Sequence, residues 1–212
     1  PCPHPVINLG VITSYAIKKV FEYSLELNNL QQEVKYYYRI CTKDTGRLTK
    51  IFEFLLKNPD KEFEFIILAD PQGMVKNDYD VFLKVFKAAV KNSGTPDFVV
   101  NMGDFVDDGN NETYWQWLLN SKLWAQNVAV PLSGNHEAKL SPTAMRAGVE
   151  NSIIRHFNLK ALPKQSLATG AYYSYTYGDA LFIVLNTNNV DVKGNLDQDE
   201  YLWALNCAKN SK

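Results

Sequence analysis

The chain has 212 residues, 46% hydrophobic and 21% charged, with 22 basic against 23 acidic side chains and a formal net charge of −1. That length suits one α/β domain plus part of a second, and the composition is that of a globular protein. The balanced charge shows no basic stripe and gives no support to nucleic-acid binding, no run is apolar enough to span a membrane, and no signal peptide is visible.

In chain order, the first part reads as β. Phe21 to Leu27 alternates apolar and polar residues, Val34 to Cys41 is rich in aromatic and β-branched types, and Thr49 to Leu55 alternates again. The tract Thr42-Lys43-Asp44-Thr45-Gly46 predicts a hairpin loop. Asn58-Pro59-Asp60-Lys61 breaks the pattern and is the expected domain boundary. Residues 1–58 therefore predict part of a β-sandwich, since a whole immunoglobulin-like one takes about 100 residues. Three cysteines, Cys2, Cys41 and Cys207, fit neither a zinc ribbon nor a CxxC redox pair, so ordinary buried or free thiols are expected.

Residues 62–212 alternate strand and helix. Glu64 to Ala69 is nearly continuous in apolar residues, as a strand buried on both faces should be. A helix is predicted from Asp78 to Lys91, a strand from Asp97 to Met102, and a Trp-rich amphipathic helix from Glu112 to Ala125. Val128 to Leu132 reads as a strand whose Pro131 argues for an edge or a strand end. Ser141-Pro142 predicts a helix start. Tyr172 to Tyr177 and Leu181 to Leu185 predict two strands around the turn Gly178-Asp179, followed by a helix over Leu196 to Lys209.

Three turns rich in oxygen donors come after three of the apolar runs: Ala69-Asp70-Pro71-Gln72, Gly103-Asp104-Phe105-Val106-Asp107-Asp108-Gly109 and Gly134-Asn135-His136-Glu137. Asp70, Asp104 and Asn135 are spaced 34 and 31 residues apart, the length of a strand, a crossover helix and a return to the next parallel strand. Three donors would then meet at the carboxyl edge of an open α/β sheet, where ligands bind. Asp70 and Asp104 are natural anionic ligands for hard divalent cations, and Asn135 adds an amide oxygen. A metal pair lowers the pKa of bound water and clamps a phosphoryl group, which makes hydrolysis the first hypothesis. His136 would donate a proton or hold a phosphate oxygen, with Asp107 orienting its ring. Taken singly, each has a bland reading: Asp70 before Pro71 as a helix N-cap, Asp-Asp-Gly and Gly-Asn-His as turns. Their joint order and spacing outweigh those readings.

The blocks Gly103 to Gly109 and Gly134 to Glu137 resemble two signature segments of the calcineurin-like metallophosphoesterases. Tyr172 to Thr187 and Gln198 to Leu202 resemble the later strands and helix of that superfamily. Leu25 to Leu30 and Tyr36 to Ile40 are similar to the fibronectin-like domain that precedes purple-acid-phosphatase-type catalytic domains. The resemblance covers most of residues 22–208. It implies a metallophosphoesterase α/β sandwich and hydrolysis of a phosphate ester by a metal-bound hydroxide. It also implies two divalent or trivalent metal ions, drawn from Fe, Zn, Mn or Mg, and a secreted or cell-surface location. By it Asp70 binds one metal, Asp104 bridges both, Asn135 binds the second, and His136 assists transfer without being a ligand.

Three departures accompany it. Gln72 stands where many members have a histidine ligand. Asp107 stands where the purple enzymes have their tyrosine ligand, so no purple colour is expected, and Asp107 is open as a ligand or as the partner of His136. Histidines that complete the site beyond the last helix are absent, since the others are His4 and His156, the latter read as a helix-surface or packing residue. A fragment of a longer protein, short at both ends, is the expectation. The rival is a non-catalytic binding module on the same fold with a degenerate or single-metal site. A nucleotide-binding domain is weaker, because no glycine-rich phosphate loop comes after the first strand.

Overall fold

A computed structural model describes residues 13–15, 18–20, 25, 27–41, 45–60, 62–138, 151–159, 171–188, 190 and 193–211. The chain divides into two compact units, Pro1–Lys57 and Asn58–Lys212.

Among the described residues the first unit holds two antiparallel pairs. β1 (Thr13–Tyr15) pairs with β2 (Lys18–Val20), and β3 (Val34–Tyr38) pairs with β4 (Phe52–Leu56) in a register that sets Val34 opposite Leu56 and Tyr38 opposite Phe52. Aromatic residues opposite one another pack: Tyr36 stacks on Phe54 with centroids 5.5 Å apart. Such cross-strand pairs each contribute up to about 1 kcal/mol. An isolated bridge between Cys41 and Leu48 continues the hairpin, whose loop residues 42–44 lie outside the described residues. Of the strand expected over residues 21–27, Leu25 and Leu27 are described and belong to no strand. Cys41 is disulfide-bonded, which corrects the expectation of ordinary thiols, whereas Cys207 is a free thiol.

The second unit is built on a three-stranded parallel sheet in the order β5 (Phe65–Leu68), β6 (Phe98–Asn101), β7 (Ala129–Pro131). β6 is central and buried at all four residues. Pro131, which cannot donate to a ladder, ends the edge strand β7. α1 (Lys76–Ser93) makes the first crossover and packs Phe86 with Ile66 and Val99. The second crossover is two helices rather than the single one expected over Glu112 to Ala125. α2 (Glu112–Leu119) ends at Asn120, and Ser121 caps α3 (Lys122–Gln126) by accepting from Leu123 N at 3.2 Å. That cap redirects the chain and seats Trp124 against Phe86, 4.9 Å between centroids.

α4 (Ser152–His156) packs Ile153 and Ile154 into a core with Phe105, Val106, Trp115 and Leu118. The helix expected at Ser141-Pro142 lies outside the described residues. β8 (Tyr173–Tyr177) and β9 (Ala180–Val184) form an antiparallel hairpin. Its Phe182 meets Phe65 and Phe98 edge-on at 5.5 and 5.4 Å, and Tyr177 Oη donates to Asp97 Oδ1 at 2.7 Å. Each buried ring contributes roughly 1.5–3 kcal/mol of hydrophobic stabilisation. α5 (Gln198–Asn210) comes last, capped by Asp197.

Of the two roles expected for His156, helix surface or packing, the structure shows packing. Its ring lies 4.1 Å from that of Trp115, and its nitrogens face Ser152 O at 2.8 Å and Glu112 Oε2 at 3.1 Å. Burial opposes ionisation of Glu112, but the His156 bond and the charges of His156 and Arg155 outweigh it and hold its carboxyl below the usual range. A lowered folded pKa stabilises above the unfolded value, and that stabilisation is lost as pH falls through the folded value. Glu112→Gln is therefore expected to lower the denaturation midpoint at pH 7, by about 1 kcal/mol. The difference should vanish as pH falls through the lowered folded-state pKa of Glu112. Urea titrations of both proteins across pH would check it.

Candidate metal centre

The parallel strands deliver three turns to one edge of the sheet: residues 69–73 after β5, 102–109 after β6 and 132–137 after β7. These turns are bonded to one another. Asp70 N donates to Gly103 O at 3.4 Å, Gln72 N to Asp104 O at 3.1 Å, and His136 N to Asp104 Oδ1 at 2.9 Å. The sequence order thus becomes one cluster, with Asp104 at its middle. Asp70 and Asn135 are exposed, while Asp104 and His136 are half-buried.

Asp70 is not a helix N-cap. α1 begins six residues later, and Asp78 Oδ2 there accepts from Met74 N and Val75 N at 3.0 and 3.2 Å. Asp70 and Asp104 instead share a left-handed backbone, with φ of 53° and 51°. Aspartate tolerates that conformation better than most residues, yet it is uncommon outside glycine and clusters where function requires it. Tyr79 steadies the first turn by donating to Gly73 O at 2.8 Å, and burial pushes its phenol up to about 12.

Two glycines let the second and third turns touch. Gly103 has φ of 98°, and a Cβ there would sit 2.6 Å from Gly134 Cα. A Cβ on Gly134 would overlap Asp104 Oδ1 and N. Backbone meets backbone here because neither residue has a side chain.

His136 Nδ1 donates to the backbone oxygen of Asp107 at 2.6 Å, while the Asp107 carboxylate is 3.6 Å away. The ring is therefore oriented mainly by a carbonyl, not by the side chain expected from the sequence. Asp107 is half-buried, and Asp108 is exposed and accepts from Asn110 N at 2.9 Å.

Glu137 had no role assigned from sequence, and it is the clasp of the cluster. It is 1% exposed. Its Oε2 accepts from Asp104 N at 3.0 Å and Gly134 N at 2.9 Å, and its Oε1 from Val106 N at 3.2 Å. Burial raises its carboxyl pKa, and the amides of Val106 and Gly134 oppose that rise. Its own carbonyl accepts from Asn151 Nδ2 at 2.7 Å, tying the turn to α4. Trp115 Nε1 similarly holds Gly109 O at 3.0 Å. The only sequence signal for Glu137 was its place directly after Gly-Asn-His.

Residues 63–209 match the family model for calcineurin-like phosphoesterases. The chain belongs to that family. Over 127 residues it is also 27% identical to a protein of Moraxella catarrhalis (strain BBH18) named "Probable cyclic nucleotide phosphodiesterase"; the match covers 59% of this chain and 43% of that one. The chain thus spans less than half the length of that relative. Calcineurin-like phosphoesterases generally bind divalent metals and act on phosphate esters, and the mixed α/β fold with its parallel sheet is theirs.

The residues present suit a hard cation. Asp70, Asp104 and Asn135 offer oxygens at one sheet edge, and Gln72 stands in the same turn as Asp70, its N–H bonded to Asp104 O. Its Oε1 is inaccessible to solvent and has no hydrogen-bond partner, an orphaned acceptor of the kind a cation satisfies. Among the described residues no three His, Cys, Asp or Glu side chains gather into a metal-binding group, so amide oxygens would complete the set. Among those residues, too, no helix is long and apolar enough to cross a membrane.

Proposed function

We propose that the protein is a phosphoric ester hydrolase, a phosphatase or phosphodiesterase, whose site holds two metal ions. The observation that carries this reading is the hydrogen-bonded union of the three turns, with Asp104 bonded to the turn that bears Asn135 and His136. Asp70 and Asp104 would hold one metal, Asp104 and Asn135 the other, and Gln72 adds an amide oxygen. When bound, such a pair acidifies water and neutralises charge on the phosphoryl group.

The chain's own residues do the rest. Asp104, with its Oδ1 already fixed by His136 N, would offer its carboxylate to the cations. With Nδ1 bonded to the Asp107 carbonyl, Nε2 of His136 is the ring nitrogen that would act on the substrate. Only as the doubly protonated imidazolium would Nε2 carry a proton, which it would donate in a hydrogen bond to a phosphoryl oxygen or pass to the departing ester oxygen. The name of the Moraxella relative favours a diester. By resemblance to purple-acid-phosphatase-type enzymes, residues 1–58 would be part of a fibronectin-like domain and the protein secreted or displayed at the cell surface. The disulfide at Cys41 supports an oxidising compartment.

Metal content measured with hydrolysis of p-nitrophenyl phosphate and bis-p-nitrophenyl phosphate tests the reading. Asp104→Asn is expected to leave the fold intact and to weaken metal binding at least about tenfold. Retention of wild-type metal content and turnover by Asp104→Asn would sink it. Wild-type protein that binds metal without cleaving either ester would favour the binding-module reading, for which Gln72 in a histidine's place is the supporting observation. His136→Ala is expected to lower kcat about 10²- to 10⁴-fold, whereas Asp107→Ala, which keeps the carbonyl, costs less than about tenfold. Equal losses in the two variants would show that the Asp107 carboxylate does the orienting.

A further inference from the structure

A fourth segment reaches the turn that carries Asn135 and His136. It comes after β9 and is unlike the three turns in having no acidic side chain: Asn186, Thr187 and Asn188. Asn188 Nδ2 donates to Ser133 O and to Gly134 O, each at 3.1 Å. Two consecutive carbonyls thus converge on one amide group. The backbone amides of the same turn go elsewhere: Gly134 N to Glu137 Oε2 and His136 N to Asp104 Oδ1, both at 2.9 Å. The turn is held by its acceptors through a neutral amide and by its donors through two carboxylates.

Asn188 is itself anchored. Its N–H and its Nδ2 both lie 3.3 Å from Asn186 Oδ1. Asn186 is fully buried, and its N–H donates to Glu200 Oε1 at 2.6 Å. Glu200 is fully buried in the first turn of α5. A continuous run of hydrogen bonds therefore links a helix well away in sequence to the peptide group that presents Asn135.

We propose that Asn188 is a positioning residue for the turn of residues 133–136, with Asn186 and Glu200 as its anchor. It fixes the tilt of the Ser133–Gly134–Asn135 peptides, and so the direction in which Asn135 projects and the bond between His136 N and Asp104. A neutral donor suits the place. A carboxylate would set lone pairs against both carbonyls, and an ammonium would add positive charge beside a cation site. The catalytic meaning of the clamp rests on the hydrolase reading; the clamp itself does not.

The test uses the full chain with Asn188→Ala and Asn188→Asp, read by amide hydrogen exchange, by Mn²⁺ titration followed by electron paramagnetic resonance, and by kinetics on bis-p-nitrophenyl phosphate. Both variants are expected to speed exchange at residues 133–137 about tenfold or more while the amides of β5 and β6 stay as slow as in wild type. Mn²⁺ affinity should fall about 10- to 100-fold, and kcat should fall with KM little changed. Unchanged exchange at residues 133–137, or acceleration spread evenly over the molecule with a matching loss of thermal stability, would overturn the proposal. A wild-type protein that binds no Mn²⁺ would instead defeat the hydrolase reading, and the exchange measurement would still decide the clamp.

Discussion

Glu137→Ala is expected to destabilise the second unit by about 3–5 kcal/mol, the largest stability loss of any single change at this edge of the sheet. Three backbone N–H groups, those of Asp104, Val106 and Gly134, lose their acceptor in one step. Each such group left unpaired in a buried setting costs roughly 1–3 kcal/mol, partly recovered if water enters. Glu137→Gln is the informative companion. Its amide keeps one acceptor oxygen but presents an NH₂ where an N–H already points, so it should lose about half as much. Denaturant titration at neutral pH of the three proteins orders them. If Glu137→Ala lies within about 1 kcal/mol of wild type, the carboxylate is not what clasps the loops.

Gly134→Ala is expected to abolish the proposed metal-dependent activity while leaving the parallel sheet formed. The new methyl would overlap both Oδ1 and N of Asp104. The first is tied to His136 N and the second to Glu137, so neither yields by a simple rotamer change. The third turn must retreat, and His136 N then loses its bond to Asp104. A displacement near 1 Å in a catalytic constellation is worth about a hundredfold in rate. Far-ultraviolet circular dichroism close to wild type, together with Mn²⁺ affinity reduced by at least about a hundredfold, is the expected pair of results. A Gly134→Ala protein with ordinary Mn²⁺ affinity would mean that the close approach of the two turns is not needed for the site.

The part of this architecture that is legible in sequence is the part written locally. Continuous apolar runs at Glu64 to Ala69, Asp97 to Met102 and Val128 to Leu132 mark the strands. The turn after each run sits at the carboxyl edge because parallel strands all end there. The hidden features depend on partners far along the chain. Glu137 reads as one more polar residue in a turn until the amides of residues 104 and 106 are folded against it. Asn188 serves the turn at 133–134, more than fifty residues earlier. The split between α2 and α3 is present as Ser121, a good N-cap, but four apolar positions at helical spacing mask it. Asp107 does neighbour His136, but the nearer of its two contacts is the carbonyl oxygen, and a sequence advertises carboxylates and never carbonyls.

The left-handed backbone at Asp70 and Asp104 bears on how this protein would respond to laboratory evolution. Glycine and asparagine adopt that conformation with less strain than aspartate does. A library selected only for heat resistance would thus drift toward those residues at both positions, gaining stability of the order of 1 kcal/mol. Each gain would remove one of the two carboxylates proposed to hold metal. Selection for endurance and selection for turnover therefore pull the same two codons in opposite directions, and persistence of aspartate at both under a combined selection would identify turnover as the stronger demand.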